Sequence, residues 1–114
     1  MVALGQFEQL VLTAVLALGE NAYGVTIHAK VEELSSPRKI ARGAVYATLD
    51  RMEDKALIAS WLSEPKSERG GRSRRHYRIE KSGEKALREA ARSAQLLFHN
   101  IARNLGGLTW KPPR

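Results

Sequence analysis

Five arginines and two adjacent glycines fall within the twelve residues ERGGRSRRHYRI at positions 68–79. Guanidinium groups at that density have one dominant chemistry, the gripping of anionic oxygens, and phosphate esters above all. Lys66, Arg69, Arg72, Arg74, Arg75 and Arg78 face only Glu64 and Glu68 nearby, which leaves a local surplus of about four positive charges. Gly70 and Gly71 open backbone angles closed to other residues and let the segment approach a nucleic-acid strand closely. The chain leans the same way throughout: 19 Lys plus Arg stand against 12 Asp plus Glu, a net charge of +7 that favours polyanions.

Other chemistries find little support. Cysteine is absent, which removes disulfides and thiolate sites and agrees with a reducing compartment. His28, His76 and His99 lie in different segments without metal-ligand spacing, so surface or interface roles are expected for them. The adjacent pairs Glu32 with Glu33 and Glu53 with Asp54 point about 100° apart on a helix and do not converge as an acid and base would. RGGR lacks the lysine and the following helix of a nucleotide phosphate loop. No catalytic residue, cofactor or metal site is expected, and the chain reads as a binding protein rather than an enzyme. No run reaches the roughly 18 apolar residues of a membrane span, and the N-terminus lacks the pattern of a signal peptide, so a cytoplasmic protein is expected.

The elements that must carry the basic segment follow from hydrophobic period. Phe7, Leu10, Val11, Ala14, Val15 and Leu18 form one helical stripe over about 6–18. Leu12 and Leu16 lie off that stripe, which implies a second surface, read as another subunit. Ile27, Val31 and Leu34 mark a short second helix that stops before Pro37. Val45, Leu49, Met52 and Ala56 give a third helix over about 42–55, with Gly43, Ala47, Asp50 and Asp54 on its other side. LIASWLS and RRHYRI read as two strands of a hairpin whose tip is the basic segment, with Trp61 covering the core edge. Leu87, Ala90, Ala94, Leu97 and Ile101 form a heptad seam on a long helix over about 82–105, with Phe98 beside it.

Three helices, a two-stranded ribbon and a long helix define a mainly α (α+β) fold: a winged helix-turn-helix over 1–80, a C-terminal dimerisation helix over 81–105 and an irregular tail over 106–114. A groove-entering helix needs small or hydrogen-bonding residues at its leading end. The third helix offers Gly43, Ala44 and Ala47 for close approach, with Arg42, Tyr46, Thr48 and Arg51 for phosphates or base edges and Lys39 just ahead. With Arg69, Gly70, Gly71, Arg72 and Arg74 of the wing, these are the expected DNA-binding residues. Leu12, Leu16, Leu87, Ala90, Ala94, Leu97, Phe98 and Ile101 are the expected dimer interface.

RGAVYATLDRMEDKALI followed by ERGGRSRRHYRI, with FEQLVLTAVLALGENAYGVTI upstream, closely resembles the PadR family of bacterial transcription regulators over roughly residues 4–104. Tyr23 with Gly24, the stretch from Gly43 to Tyr46 and the arginine-glycine wing occur together and in order. The resemblance implies a homodimeric repressor whose third helix reads an operator half-site, whose wing grips the flanking backbone and whose last helix pairs with its twin; it also implies a small-molecule effector. Two residues depart from the family pattern: Ala41 stands where a serine often caps the third helix, and Ala56 where a glycine usually closes it. A tryptophan that stacks planar ligands in compact relatives corresponds by register to Ala94.

The reading is therefore a sequence-specific, double-stranded DNA-binding regulator, a ligand-responsive homodimeric repressor on a palindromic operator with half-sites about one helical turn apart. The alternatives are a nonspecific nucleic-acid module, RNA included, and a winged helix that binds a different protein through Leu12, Leu16, Leu97 and Phe98.

Overall fold

A computed structural model describes residues 3–63 and 74–106 of the chain. Helix α1 (Gln6–Leu18) ends at Gly19, whose φ of 57° carries the chain into a single 3₁₀ turn, Gly19–Asn21. Helices α2 (Gly24–Leu34) and α3 (Arg42–Asp54) follow, then strands β1 (Ile58–Leu62) and β2 (Arg75–Ile79), then α4 (Lys81–Leu105). The strands pair antiparallel from Ile58 opposite Ile79 to Leu62 opposite Arg75. Tyr77 N–H donates to the Ala22 carbonyl at 2.8 Å, so the segment before α2 bridges to the free edge of β2.

One core holds these pieces. Val11, Leu12 and Val15 of α1 meet Ile27 and Val31 of α2, Val45, Leu49 and Met52 of α3, Leu57 and Ile58 below the ribbon, and Tyr77 of β2. Full burial stabilises each such side chain by roughly 1.5–3 kcal/mol, so Val45, Leu49 and Met52 fix the inner side of α3 firmly. The expectation that Leu12 faces another subunit is corrected: it is 0% exposed. Helix α1 touches α2, α3, α4 and β2, and neighbours on several sides bury more than one stripe. Leu16, by contrast, is 50% exposed.

Trp61 lies on β1, 44% exposed and stacked on His76 with ring centroids 5.6 Å apart, and it borders a groove at the edge of the core with Val15, Leu16 and Ile79.

Helix α4 roots in the domain through Gly83 and Ala86 and then leaves it. A β-carbon on Gly83 would collide with the Leu57 carbonyl oxygen and would come 2.8 Å from Ile79 Cγ1, so only glycine lets the helix seat there. Beyond it the seam is open: Leu87 is half-buried against the core, whereas Leu97 is 62% exposed and Leu105 and Ile101 are exposed as well.

Candidate nucleic-acid interface

Helix α3 separates two kinds of surface. Val45, Thr48, Leu49 and Met52 are buried, and Arg42, Gly43, Ala44, Tyr46, Ala47, Asp50 and Arg51 are exposed. No atom lies within 4 Å of where a Gly43 β-carbon would stand. The outward side is small and cationic over its first half and acidic over its second, at Asp50, Glu53 and Asp54. Phosphates repel that second half, so the helix is suited to approach a duplex with its N-terminal end.

Thr48 is the correction on this helix. It is 1% exposed, and its hydroxyl accepts from Arg51 Nη2 at 3.0 Å. A threonine one helical turn from Val45 and Met52 belongs to the core stripe, and Arg51 supplies the hydrogen bond that makes its burial tolerable. Thr48 thus orients Arg51 and does not itself face outward.

Tyr46 is 40% exposed, and the inner edge of its ring lies on Gly24 at the start of α2. A β-carbon at Gly24 would stand 2.6 Å from the phenol oxygen and 2.8 Å from Cε1. The Tyr23–Gly24 pair is therefore a seat: Gly24 admits the Tyr46 ring, and Thr26 Oγ1 accepts the Tyr23 N–H at 3.1 Å.

The turn between α2 and α3 is clamped at Ile40. Its N–H donates to Glu32 Oε2 at 3.0 Å, and its carbonyl lies 2.6 Å from His28 Nε2. A carbonyl only accepts, so Nε2 is the protonated ring nitrogen. The Ile40 N–H above all, with Lys39 and Arg42 nearby, holds the Glu32 carboxyl below its ordinary value despite some desolvation. Lys39 and Arg42 thus sit exposed on either side of a fixed backbone point. This clamp has no sequence signature beyond a His and Glu four residues apart on α2, because its partner lies across a turn.

A second tie runs from α3 to the ribbon. Ser60 Oγ donates to Glu53 Oε2 at 2.7 Å and accepts from Arg75 Nη1 at 2.9 Å. At the ribbon's open end Ser63 N–H donates to the Arg74 carbonyl at 2.8 Å, and Arg74 N–H to Ser63 Oγ at 3.1 Å. The Arg74 guanidinium lies 3.9 Å above the Tyr23 ring, a cation–π contact that holds it beside the α2 N-terminus. Arg69, Gly70, Gly71 and Arg72 lie outside the described residues.

Among the described residues, no group of three or more His, Asp or Glu could hold a metal ion, and no helix is long and apolar enough to cross a membrane.

Comparison with known proteins agrees with this geometry. The model of the transcriptional regulator PadR-like family matches residues 12–89. A PadR family transcription regulator from hypervirulent Clostridium difficile is similar at 25% identity and a TM-score of 0.72, over 90% of this chain and 100% of that one. A PadR-like transcription factor from Bacteroides fragilis gives 0.72 at 22% identity, over 87% and 89% of the two chains, and shares the fold. The same holds for a PadR-like transcriptional regulator from Bacillus cereus, at 0.70 and 24% over 89% and 92%. No curated protein matches the chain.

Proposed function

Since the chain belongs to the PadR-like family of transcriptional regulators, a family of DNA-binding regulators and not of enzymes, we propose that it is a sequence-specific, homodimeric repressor in the cytoplasm, released from its operator by a small molecule. The observation that carries the reading is the N-terminal half of α3, where Arg42, Gly43 and Ala47 form a small, cationic surface on a helix whose inner side is locked in the core. Arg42, Tyr46 and Arg51 face the operator, with Lys39 at its edge, and the wing arginines Arg69, Arg72 and Arg74 hold the flanking backbone with Gly70 and Gly71 between them.

Pairing of two chains is supported by the open seam on α4. Leu97, Ile101 and Leu105, with Leu16 of α1, leave apolar surface in water that a twin helix would cover, worth on the order of 1 kcal/mol for each half-exposed side chain. Ala90 and Ala94 let two such helices approach closely, with Leu87 and Phe98 at the flanks. For the effector, a groove of about 390 Å³ between Leu4 and Gln9 on one side and Ala90, Ala94 and Leu97 on the other has the size of a small-molecule site.

The deciding experiment is a gel-shift titration of the purified protein against the DNA upstream of its own gene, a random duplex and a single strand of the same length. Preference for the upstream duplex by at least a hundredfold is expected. Equal affinity for all three would replace this reading with a nonspecific nucleic-acid module. A monomer by light scattering would favour a winged helix that binds a different protein.

A further inference from the structure

Helix α4 carries a second charged surface that the recognition face does not use. At 100° per residue, Lys81, Lys85, Arg88, Arg92, His99 and Arg103 fall within an arc of about 60°, and that arc is centred about 150° from the Leu87, Ala94 and Ile101 seam. All six are exposed. Glu84 pairs with Arg88 at 3.7 Å and Glu89 flanks the arc, but among the described residues no carboxylate lies within ion-pair distance of Lys81, Lys85, Arg92 or Arg103. From Lys81 to Arg103 the row is about 33 Å long, close to one turn of duplex DNA.

The seam side of α4 is the side that Gly83 and Ala86 bury in the domain, where the helix meets α1. Lys81, at the root, borders a recess with Glu53, Ala56 and Ser60, but from Lys85 onward the cationic row lies on the side of α4 opposite the one seated on the domain. A straight duplex along that side runs clear of α3.

We propose that the outer face of α4 is a second duplex-binding surface, through which one dimer holds two segments of DNA. The inference rests on the proposed function in that two chains pair and α3 holds the first segment. An anionic membrane fits the helix less well, because the apolar side that would have to enter the lipid boundary is the side that Gly83 and Ala86 root in the domain. A duplex needs only a row of cations at one side, and each phosphate neutralised adds about 0.9 to the slope of log affinity against log salt.

The test is a capture assay: biotinylated upstream duplex on beads is saturated with the full-length protein, and a fluorescent random duplex is then added. Wild type is expected to retain the second duplex in a salt-sensitive manner. The triple variant Lys85→Gln, Arg92→Gln, Arg103→Gln is expected to bind the first duplex unchanged and lose at least tenfold in capture of the second, while Arg92→Lys with Arg103→Lys restores it. Capture that persists in the triple variant, or no capture by wild type at saturation of the first duplex, overturns the proposal and leaves the operator reading intact. Vesicles containing phosphatidylserine serve as a parallel probe, and loss of their binding in the triple variant without any duplex capture would assign the row to a membrane instead. Conversely, a variant Arg42→Gln, Arg51→Gln that binds the upstream duplex as wild type does would remove the operator reading while second-duplex capture still stood.

Discussion

The phenol of Tyr46 rests directly on the Cα of Gly24, closer than any side chain at position 24 would allow. A residue at the start of α2 thereby sets the aim of a residue on the exposed side of α3. Gly24→Ala collides only with the outer end of a movable side chain, so the fold is expected to survive with Tm within a few degrees of wild type. Affinity for the operator is expected to fall about tenfold while affinity for random duplex holds. Fluorescence anisotropy on both duplexes checks it, and equal losses on the two would show that Tyr46 carries no sequence information.

Ala56 closes α3 at a φ of 61°, the left-handed conformation that glycine normally supplies. The Ala56 N–H donates to the Glu53 carbonyl at 2.9 Å, the Leu57 N–H to that of Met52 at 3.0 Å, and Leu57 is buried. The closing motif is complete in everything but its residue, so Ala56→Gly removes strain of about 1 kcal/mol, offset in part by unfolded-chain entropy. Thermal unfolding should rise by a few degrees, with DNA affinity unchanged.

Glu8 joins the start of α1 to the end of α3: it accepts hydrogen bonds from the Gly5 N–H at 3.0 Å and from the Lys55 ammonium at 2.9 Å. The Gly5 hydrogen bond, then Lys55, holds its carboxyl below the ordinary value of 4.5 in spite of burial. A carboxyl with a lowered folded pKa binds fewer protons folded than unfolded, so its contribution is present above the unfolded value and disappears as pH falls through the folded one. Glu8→Gln is expected to lose about 1 kcal/mol at pH 7. The gap between denaturant titrations of the two proteins should narrow steadily as pH falls below about 4.5; a gap that does not narrow with falling pH would reject the ion pair as its cause.

Glu32 and His28 fix the Ile40 backbone immediately before α3. Glu32→Gln keeps an acceptor but removes the charge, and His28→Ala removes the donor to the carbonyl. Both are expected to weaken operator binding three- to tenfold with little change in Tm, since the clamp orients a turn and fills no core. Operator affinity equal to wild type in both variants would show that α3 is aimed by core packing alone.

The helices and the ribbon were legible because their apolar residues keep strict periods; the closing turn at Ala56 was legible only from the family pattern, since the period carried the inner stripe of α3 on to Ala56, which is exposed and lies past the helix end. Thr48 misled because a buried hydroxyl looks polar in sequence until its partner, Arg51, is seen to satisfy it. Leu12 misled because one stripe was assumed per helix, whereas α1 is covered from several directions. The ties from Ile40 to Glu32 and His28, from Ser60 to Glu53 and Arg75, and from Gly24 to Tyr46 were not legible. Each joins residues whose proximity depends on how the elements cross, and single side chains carry no mark of that. The wing arginines 69 and 72 remain a reading of sequence.

Gly83 has a mechanical consequence. With no side chain between α4 and the Leu57 carbonyl, the long helix is bolted to the hinge of the ribbon, and its far end, some 33 Å on, acts as the long arm of a lever about that fulcrum. A force at the tip of this arm is delivered at the root of the ribbon, so a disturbance at the far end of α4 bears on the strands.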